Sequence, residues 1–313
     1  MPFFSCILLS HDKPDHVVEA IESLLAQTYR DWEAVVMDSG VLCDRGFFSN
    51  LPAMTDSRIR LVRSWETEEI RQTKTIASWC FNECFRKKLL NGQYITYLCD
   101  DDLFYPNAFQ AFHDFARTQP DAKAMYASVD MTGITAEGEK LVFRELLAEE
   151  MKGSCCGGGP LDCHVDYLQL CHSADLFELF PDGDFWPEDR EVIQHADGIF
   201  LEKIGDLVPI YPVPVKIGEN RKVPVSLNTG GERLELLLEV CRREREIQRL
   251  GQLITEMSHE LAILRDRRED CLRYRVVDKL NGTLQRIPVL HSIGKKLLLT
   301  SWQVWQRAFR QVA

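Results

Sequence analysis

Three adjacent carboxylates, Asp100, Asp101 and Asp102, directly follow a short apolar segment that is typical of a buried strand. Neighbouring carboxylates repel one another unless water or a cation neutralises them. Mg²⁺ and Mn²⁺ prefer oxygen ligands and commonly share them with substrate phosphates. The pattern therefore predicts a site for Mn²⁺ or Mg²⁺ that binds a nucleotide diphosphate. The alternative is a solvated acidic turn before Pro106.

The segments around these acids alternate between strand and helix patterns. Strands are predicted at residues 3–10, 33–38, 58–62 and 94–99, and helices at residues 15–27, 73–90 and 106–117. Asn91-Gly92 is a typical signal for the end of the second helix. The alternation predicts an α/β protein with a Rossmann-like, mixed and mostly parallel sheet flanked by helices.

Ligands of such sheets bind beyond the carboxyl ends of the strands. Ser10, Asp38 and the three acids at 100–102 stand at three of these predicted ends. We therefore expect one acidic crevice in which these side chains meet.

Composition excludes some classes of function. The 313 residues carry a net charge of −11, so nucleic-acid binding by the whole chain is not expected. The eleven cysteines are an odd number, and residues 1–4 lack the basic start of a signal peptide. We expect reduced thiols and a cytoplasmic protein.

The chain is predicted to have four parts. A catalytic domain at 1–218 precedes a polar linker at 219–231 and a helix at 232–270 whose apolar residues follow a heptad repeat. Such a repeat favours a coiled-coil homodimer, although the helix could also fold onto the acidic domain. The last part, 271–313, is a basic amphipathic tail suited either to peripheral contact with the inner face of a membrane or to a partner helix.

Two further patterns leave alternatives open. Trp186 suits either stacking on a sugar or a place in the core. Four cysteines and two histidines between 155 and 172 could bind zinc, but without a CxxC pair reduced, buried thiols are the alternative. They are Cys155, Cys156, Cys163, His164, Cys171 and His172.

Four ordered blocks carry a family resemblance. CILLSHDKPDHVVEAIESLLAQTYRDWEAVVMDSG and RQTKTIASWCFNECFRKKLLNGQYITYLCDDDLFYP resemble the opening and the acidic segment of family 2 glycosyltransferases, which have the GT-A fold. DYLQLCHSADLFE and HADGIFLEKIGDLVPIYPV resemble the acceptor-side segments of the spore-coat polysaccharide subgroup. The blocks span most of residues 3–217.

The resemblance implies a donor site for a UDP- or dTDP-sugar. Ser10 would lie beside the nucleoside, Asp38 would bind the base imide, and Arg71 would approach the base or the phosphates. Asp100 would face the ribose and sugar.

The resemblance also implies the metal ligands and the base. Asp101 would be the main ligand and Asp102 a second one. Asp197 matches the family's catalytic base, which takes a proton from the acceptor hydroxyl in an inverting reaction. The expected acceptor is a glycan or a lipid-linked glycan, which suggests polysaccharide or glycoconjugate biosynthesis. Without the family match, Asp197 reads as an ordinary acid at a helix N-terminus.

The chain departs from the family pattern at several positions. His11-Asp12 replaces the usual aromatic-Asn pair, Ser39 follows Asp38 where a second Asp is common, and Cys99 stands where many relatives have Asp. These departures leave the choice of donor open.

Two other functions compete with the transferase. A non-catalytic assembly protein would act through its coiled coil and have a degenerate GT-A domain. The presence of all four acids that the family uses argues against this alternative; they are Asp38, Asp100, Asp101 and Asp197. A nucleotidyltransferase should have a Gly-rich phosphate loop near its N-terminus, and the segment SCILLSHDKPD has none.

Overall fold

The structure is a computed structural model that describes residues 2–64, 68–134, 140–150, 165–180, 185–193, 195–223 and 231–266. The chain divides into two compact units, with the boundary between Thr229 and Gly230. The predicted tail at 271–313 and four of the candidate zinc ligands, Cys155 to His164, lie outside the described residues.

The first unit is built on one mixed sheet. Its strands are β1 (Phe4–Ser10), β2 (Trp32–Asp38), β3 (Ile59–Arg63), β4 (Tyr94–Cys99), β5 (Leu103–Phe104), β6 (Ala124–Ile134), β7 (Lys140–Leu146), β8 (Leu170–Ser173) and β9 (Ile210–Lys222). They follow the order β3-β2-β1-β4-β8-β6-β9-β5, and β7 pairs with β6.

Helices cover both faces of this sheet. They are α1 (Pro14–Leu25), α2 (Glu68–Thr73), α3 (Ile76–Arg86), α4 (Ala108–Thr118) and α5 (Ala196–Gly205), and the second unit contains α6 (Gly231–Asp266). Apolar residues of α1 and α4 fill the core on one face, and those of α3 and α5 fill it on the other. The predicted α/β class with a sheet between helical layers is confirmed.

The four strands β3, β2, β1 and β4 are parallel, as the sequence predicts. All seven residues of β1 are buried, because β1 lies between β2 and β4 with helices on both faces. The chain moves from β1 to β2 on one side and later returns to β4 on the other. This reversal opens a crevice at the carboxyl ends of β1 and β4.

For the second half of the sheet, the sequence indicates only a helix and one short strand within 196–213, which correspond to α5 and the first residues of β9. β8 runs antiparallel to β4 and β6, and β9 is parallel to β6. β9 extends to Lys222, so residues 219–222, which were assigned to a linker, belong to the sheet. These residues pair with β6, and Glu219 also pairs with Leu103.

The predicted helix at 73–90 is wrong in its bounds. The chain breaks between α2 and α3 because Thr75 bonds outside the helix, with its N–H donating to Glu188 O at 2.7 Å and its hydroxyl to Asp189 O at 2.8 Å. The helix then ends at Arg86 rather than at Asn91-Gly92. Gly92 has another role, because a Cβ there would lie 2.3 Å from the backbone nitrogen of Ser5.

No helix within the described ranges is both long enough and apolar enough to cross a lipid bilayer.

Candidate functional site

The ends of β1 and β2 meet as the sequence predicts. Ser10 and Asp38 are in register, and both the backbone N–H and the hydroxyl of Ser39 donate to Ser10 O, at 2.9 and 3.0 Å. The buried Ser10 hydroxyl has no hydrogen-bond partner among the described residues. A buried hydroxyl without a partner is costly unless a ligand or water binds it, so this one is a candidate contact for a bound molecule.

Asp38 is fully buried at the end of β2. Its Oδ2 accepts a 2.8 Å hydrogen bond from the N–H of Cys43, and its Oδ1 accepts a long one of 3.4 Å from the N–H of Gly40. The Arg71 guanidinium of α2 donates to the carbonyl of Ser39. The structure therefore brings Ser10, Asp38 and Arg71 together around Ser39, at the carboxyl ends of β1 and β2.

Asp100 and Asp101 face the loop that follows β1. The backbone N–H of His11 donates to Oδ2 of Asp100 at 2.7 Å. The Lys13 ammonium lies 3.0 Å from Oδ1 of Asp100 and 2.8 Å from Oδ2 of Asp101. The two strand ends are thus joined by a short set of charged hydrogen bonds.

Asp102 turns toward the end of β9. Its Oδ1 accepts a 2.9 Å hydrogen bond from the backbone N–H of Arg221. The Arg221 side chain donates to the carbonyl of Asp101 and pairs with Glu19 of α1. Its remaining terminal nitrogen is buried and has no partner among the described residues.

Two more acids complete the cluster. Asp166 receives hydrogen bonds from the side-chain amide of Asn220 at 2.8 Å and from the N–H of Leu168 at 2.9 Å. Asp197, in the first turn of α5, lies near the backbone N–H of Tyr167 and close enough to Asp166 for the two charges to interact. The predicted base therefore belongs to the same group of acids as the predicted metal ligands.

The protonation of these acids is strongly perturbed. Burial raises the pKa of Asp102 well above its usual range, and the charges of Asp101 and Asp166 raise it further. Burial and then the charge of Asp166 do the same to the pKa of Asp197, while Lys222 opposes both shifts. The carboxyl groups of the cluster outnumber the basic groups beside them, and a bound cation would favour their ionised form.

The ligand atoms for such a cation are already close together. One side-chain ligand atom from each of Cys99, Asp101 and Asp102 lies within 4.8 Å of the others. Two carboxylates suit Mn²⁺ or Mg²⁺, which prefer oxygen ligands. The Cys99 thiol lies 2.6 Å from the Tyr167 hydroxyl, and burial raises its pKa well above the usual value. Cys99 is therefore a neutral neighbour of the two carboxylates.

Apart from Arg71, the sequence does not point to the basic residues beside the acids. Lys13 lies in a polar loop, and Arg221 and Lys222 lie in a segment read as a linker. Asp166 begins the block DYLQLCHSADLFE, whose resemblance to the family does not by itself assign this acid a role. The sequence signal for them was the basic pair Arg221-Lys222, and Arg221 is 119 residues from Asp102.

A separate buried network involves His172. The Trp186 indole N–H donates to the Tyr97 hydroxyl at 3.0 Å, and this hydroxyl lies 2.6 Å from Nε2 of His172. Because Nδ1 of His172 lies 2.9 Å from Ser173 O, Nδ1 carries the proton and Nε2 accepts from Tyr97. Trp186 stacks on Phe200 at 3.6 Å between ring centroids, so it is a core residue.

Comparisons with known proteins place the chain among distant relatives. No protein-family model matches it. Protein CgeD of Bacillus subtilis (strain 168) is 25% identical over 228 residues, which cover 72% of this chain and 51% of CgeD. The chain thus spans about half the length of this curated relative.

Two solved structures similar to the chain contain a bound nucleotide or nucleotide sugar. S. aureus TarS 1-349 in complex with UDP is 14% identical with a TM-score of 0.49, covering 76% of this chain and 70% of TarS. Mannosyltransferase PcManGT from Pyrobaculum calidifontis, in complex with GDP-Man and Mn²⁺, is 12% identical with a TM-score of 0.46, covering 97% and 87%. At such low identity the site has to be argued from its own residues.

Proposed function

We propose that the chain is a metal-dependent inverting glycosyltransferase of the family 2 type. The observation that carries this proposal is a chain of interacting buried acids beyond the strands, in which Asp102 interacts with Asp101 and Asp166, and Asp166 interacts with Asp197. Acids at the topological switch of a parallel sheet suit a cation and a diphosphate. The donor is a UDP- or dTDP-sugar, bound through Ser10, Asp38, Arg71 and Asp100.

The nucleoside part of this site has the right polarity. The unpartnered Ser10 hydroxyl offers a hydrogen bond to the nucleoside, and the buried Asp38 carboxylate can accept one from an imide N–H. Uracil and thymine have such an imide. Arg71 adds a positive charge beside Ser39, at the same end of the strands.

The chemistry follows from Asp197. Its carboxylate takes the proton of an acceptor hydroxyl while that oxygen bonds to the anomeric carbon of the donor, and the bond from this carbon to the diphosphate oxygen breaks. The raised pKa of Asp197, caused first by burial and then by Asp166, makes it a stronger base than a solvated carboxylate. A Mn²⁺ or Mg²⁺ ion at Asp101 and Asp102 would stabilise negative charge on the departing nucleotide.

Nucleotide binding tests the proposal directly. UDP, dTDP and GDP are titrated into the protein by calorimetry with Mn²⁺ and with EDTA. We expect UDP or dTDP to bind in a Mn²⁺-dependent manner and Asp101→Asn to abolish that dependence. Asp121→Asn, an exposed acid at the surface, is the matched control. Metal-independent binding, or none by the wild type, would contradict the proposal.

A second part of the proposal concerns assembly. We propose that α6 pairs with a second copy of the chain, because Leu250, Ile254 and Met257 repeat at heptad spacing and are 48%, 64% and 49% exposed. Light scattering should give a dimer that Ile254→Glu dissociates, whereas Glu256→Gln should leave it intact. A wild-type monomer at all concentrations would contradict this part.

The acceptor is proposed to be a glycan or lipid-linked glycan, used at the cytoplasmic face of a membrane that the basic tail at 271–313 contacts. Flotation with anionic liposomes, with and without residues 265–313, tests this, and equal binding would contradict it.

A further inference from the structure

Lys13 occupies an unusual place in the crevice. It directly precedes α1, and its ammonium lies within 3.0 Å of both Asp100 and Asp101. The three side chains are only 14%, 3% and 11% exposed, so this is not a solvated surface pair. A cation held between two nearly buried carboxylates interacts with them far more strongly than an exposed ion pair does.

The backbone around Lys13 is held on two sides. The N–H of His11 is bonded to Asp100, and the carboxylate of Asp12 accepts a 2.8 Å hydrogen bond from the N–H of Val41. Asp12 has a φ of +54°, a conformation that non-glycine residues rarely adopt. Gly40 allows this approach, because a Cβ there would lie 2.3 Å from Oδ1 of Asp12. The loop therefore presents Lys13 to the acids in one defined conformation.

The ammonium neutralises only part of the charge that faces it. One positive charge faces two carboxylates, with Asp102 next to them. A divalent cation would match the two charges, but Oδ2 of Asp101 already accepts a hydrogen bond from Lys13.

We propose that Lys13 is an internal counter-ion that competes with the divalent cation for Asp101 and Asp100. Metal binding requires the ammonium to leave Asp101, and the ammonium then needs another anionic partner. The diphosphate of the donor supplies that partner, so that Lys13 couples donor binding to metal binding. This inference rests on the proposed function, because it takes the nucleotide diphosphate as the ligand.

The competition predicts opposite effects of one substitution on two ligands. Lys13→Met removes the competing charge and keeps an unbranched side chain. We expect nucleotide-free Lys13→Met to bind Mn²⁺ about tenfold more tightly than the wild type. We also expect UDP to enhance Mn²⁺ affinity several-fold less than in the wild type, since the phosphates lose one cation. Lys13→Arg keeps the charge and should stay close to the wild type.

Mn²⁺ binding is measured by the EPR signal of free Mn²⁺, with and without UDP, so no turnover is needed. Lys123→Met is the matched control, because Lys123 forms an exposed ion pair with Asp175. Lys13→Gln is a second neutral variant in case Lys13→Met does not fold.

The outcomes separate this inference from the proposed function. Tighter Mn²⁺ binding by the neutral variants, together with weaker coupling to UDP, supports the role of Lys13. Equal or weaker Mn²⁺ binding by these variants, while the wild type still binds UDP with Mn²⁺, overturns it and leaves the proposed function standing. Absence of Mn²⁺ and nucleotide binding in the wild type overturns both.

Discussion

The backbone N–H of Arg221, near the end of β9, donates a 2.9 Å hydrogen bond to the carboxylate of Asp102, 119 residues earlier in the chain. The Arg221 side chain also donates to the carbonyl of Asp101 and pairs with Glu19. β9 therefore helps to hold the acidic turn in place. A substitution of Arg221 should therefore change both the folding stability and the position of the acidic turn at residues 100–102.

Arg221→Met should lower the free energy of unfolding by about 1–3 kcal/mol, because it leaves the carbonyl of Asp101 without its donor. Glu19→Gln should cost less than about 1 kcal/mol, since Glu19 is 52% exposed. Urea denaturation of the two variants at equal pH makes the comparison. Equal losses of stability in the two variants would show that Arg221 stabilises the fold through its ion pair with Glu19 and not through its hydrogen bond to Asp101.

Asp102→Asn should stabilise the metal-free protein at pH 8 by about 1 kcal/mol or more. Burial raises the pKa of Asp102, so the folded state disfavours its charge. This destabilisation is absent below the unfolded pKa of 3.8 and grows as pH rises toward the folded pKa. The amide oxygen of Asn can still accept from the N–H of Arg221.

Urea denaturation in EDTA at pH 8 and at pH 4 tests this prediction, with Asp121→Asn as control. The difference from the wild type should shrink at pH 4. With Mn²⁺ at pH 8 the order should reverse, because the wild type gains binding energy that the variant lacks. A variant that is less stable than the wild type in EDTA at both pH values would contradict the account of a strained acidic cluster.

Asp197→Asn should keep nucleotide and Mn²⁺ binding but lose at least about a hundredfold in transfer rate, which is typical for removal of a general base. Calorimetry measures binding, and release of the nucleotide product measures turnover. Glu191→Gln, an exposed acid near the start of α5, is the control. Turnover at the wild-type rate would exclude Asp197 as the base.

His172 should make the protein sensitive to acid. Burial lowers its pKa from 6.5 to about 4, so the unfolded chain takes up a proton at higher pH than the folded protein does. Stability should fall as pH drops from 6.5 to about 4, by up to about 3 kcal/mol. Protonation at Nε2 would also remove the acceptor for the Tyr97 hydroxyl.

Denaturation between pH 7 and pH 4 tests this expectation. In His172→Gln the loss over this range should be smaller than in the wild type, because glutamine can accept from Tyr97 without titrating. His113→Gln, at a histidine that stacks on Tyr29, is the control. The same pH dependence in the wild type and in His172→Gln would contradict the assignment.

Local patterns were sufficient for the parallel half of the sheet. The short apolar segments that form β1, β2 and β4 are buried on both faces, as parallel strands between helical layers are. Ser10 and Asp38 are the last residues of β1 and β2, and Asp100 directly follows β4. Because carboxyl ends of parallel strands lie at one edge, the meeting of these residues could be predicted without coordinates.

The helix at 73–90 shows where local patterns fail. Its periodicity continues through Thr75, but the N–H of Thr75 bonds to Glu188, more than a hundred residues away. The pattern of a single sequence reports local preferences and cannot indicate such a long-range hydrogen bond. The same reason explains why β8 was missed, since its four residues depend on β4 and β6 for their hydrogen bonds.

The sequence by itself determined the fold class and the acids at the strand ends, because burial and strand direction follow from local residue type. Only the tertiary structure decided which charges face those acids. Lys13 meets Asp101 and Arg221 meets Asp102 across 88 and 119 residues. Electrostatic pairs depend on distance in space, and distance along the chain does not predict it.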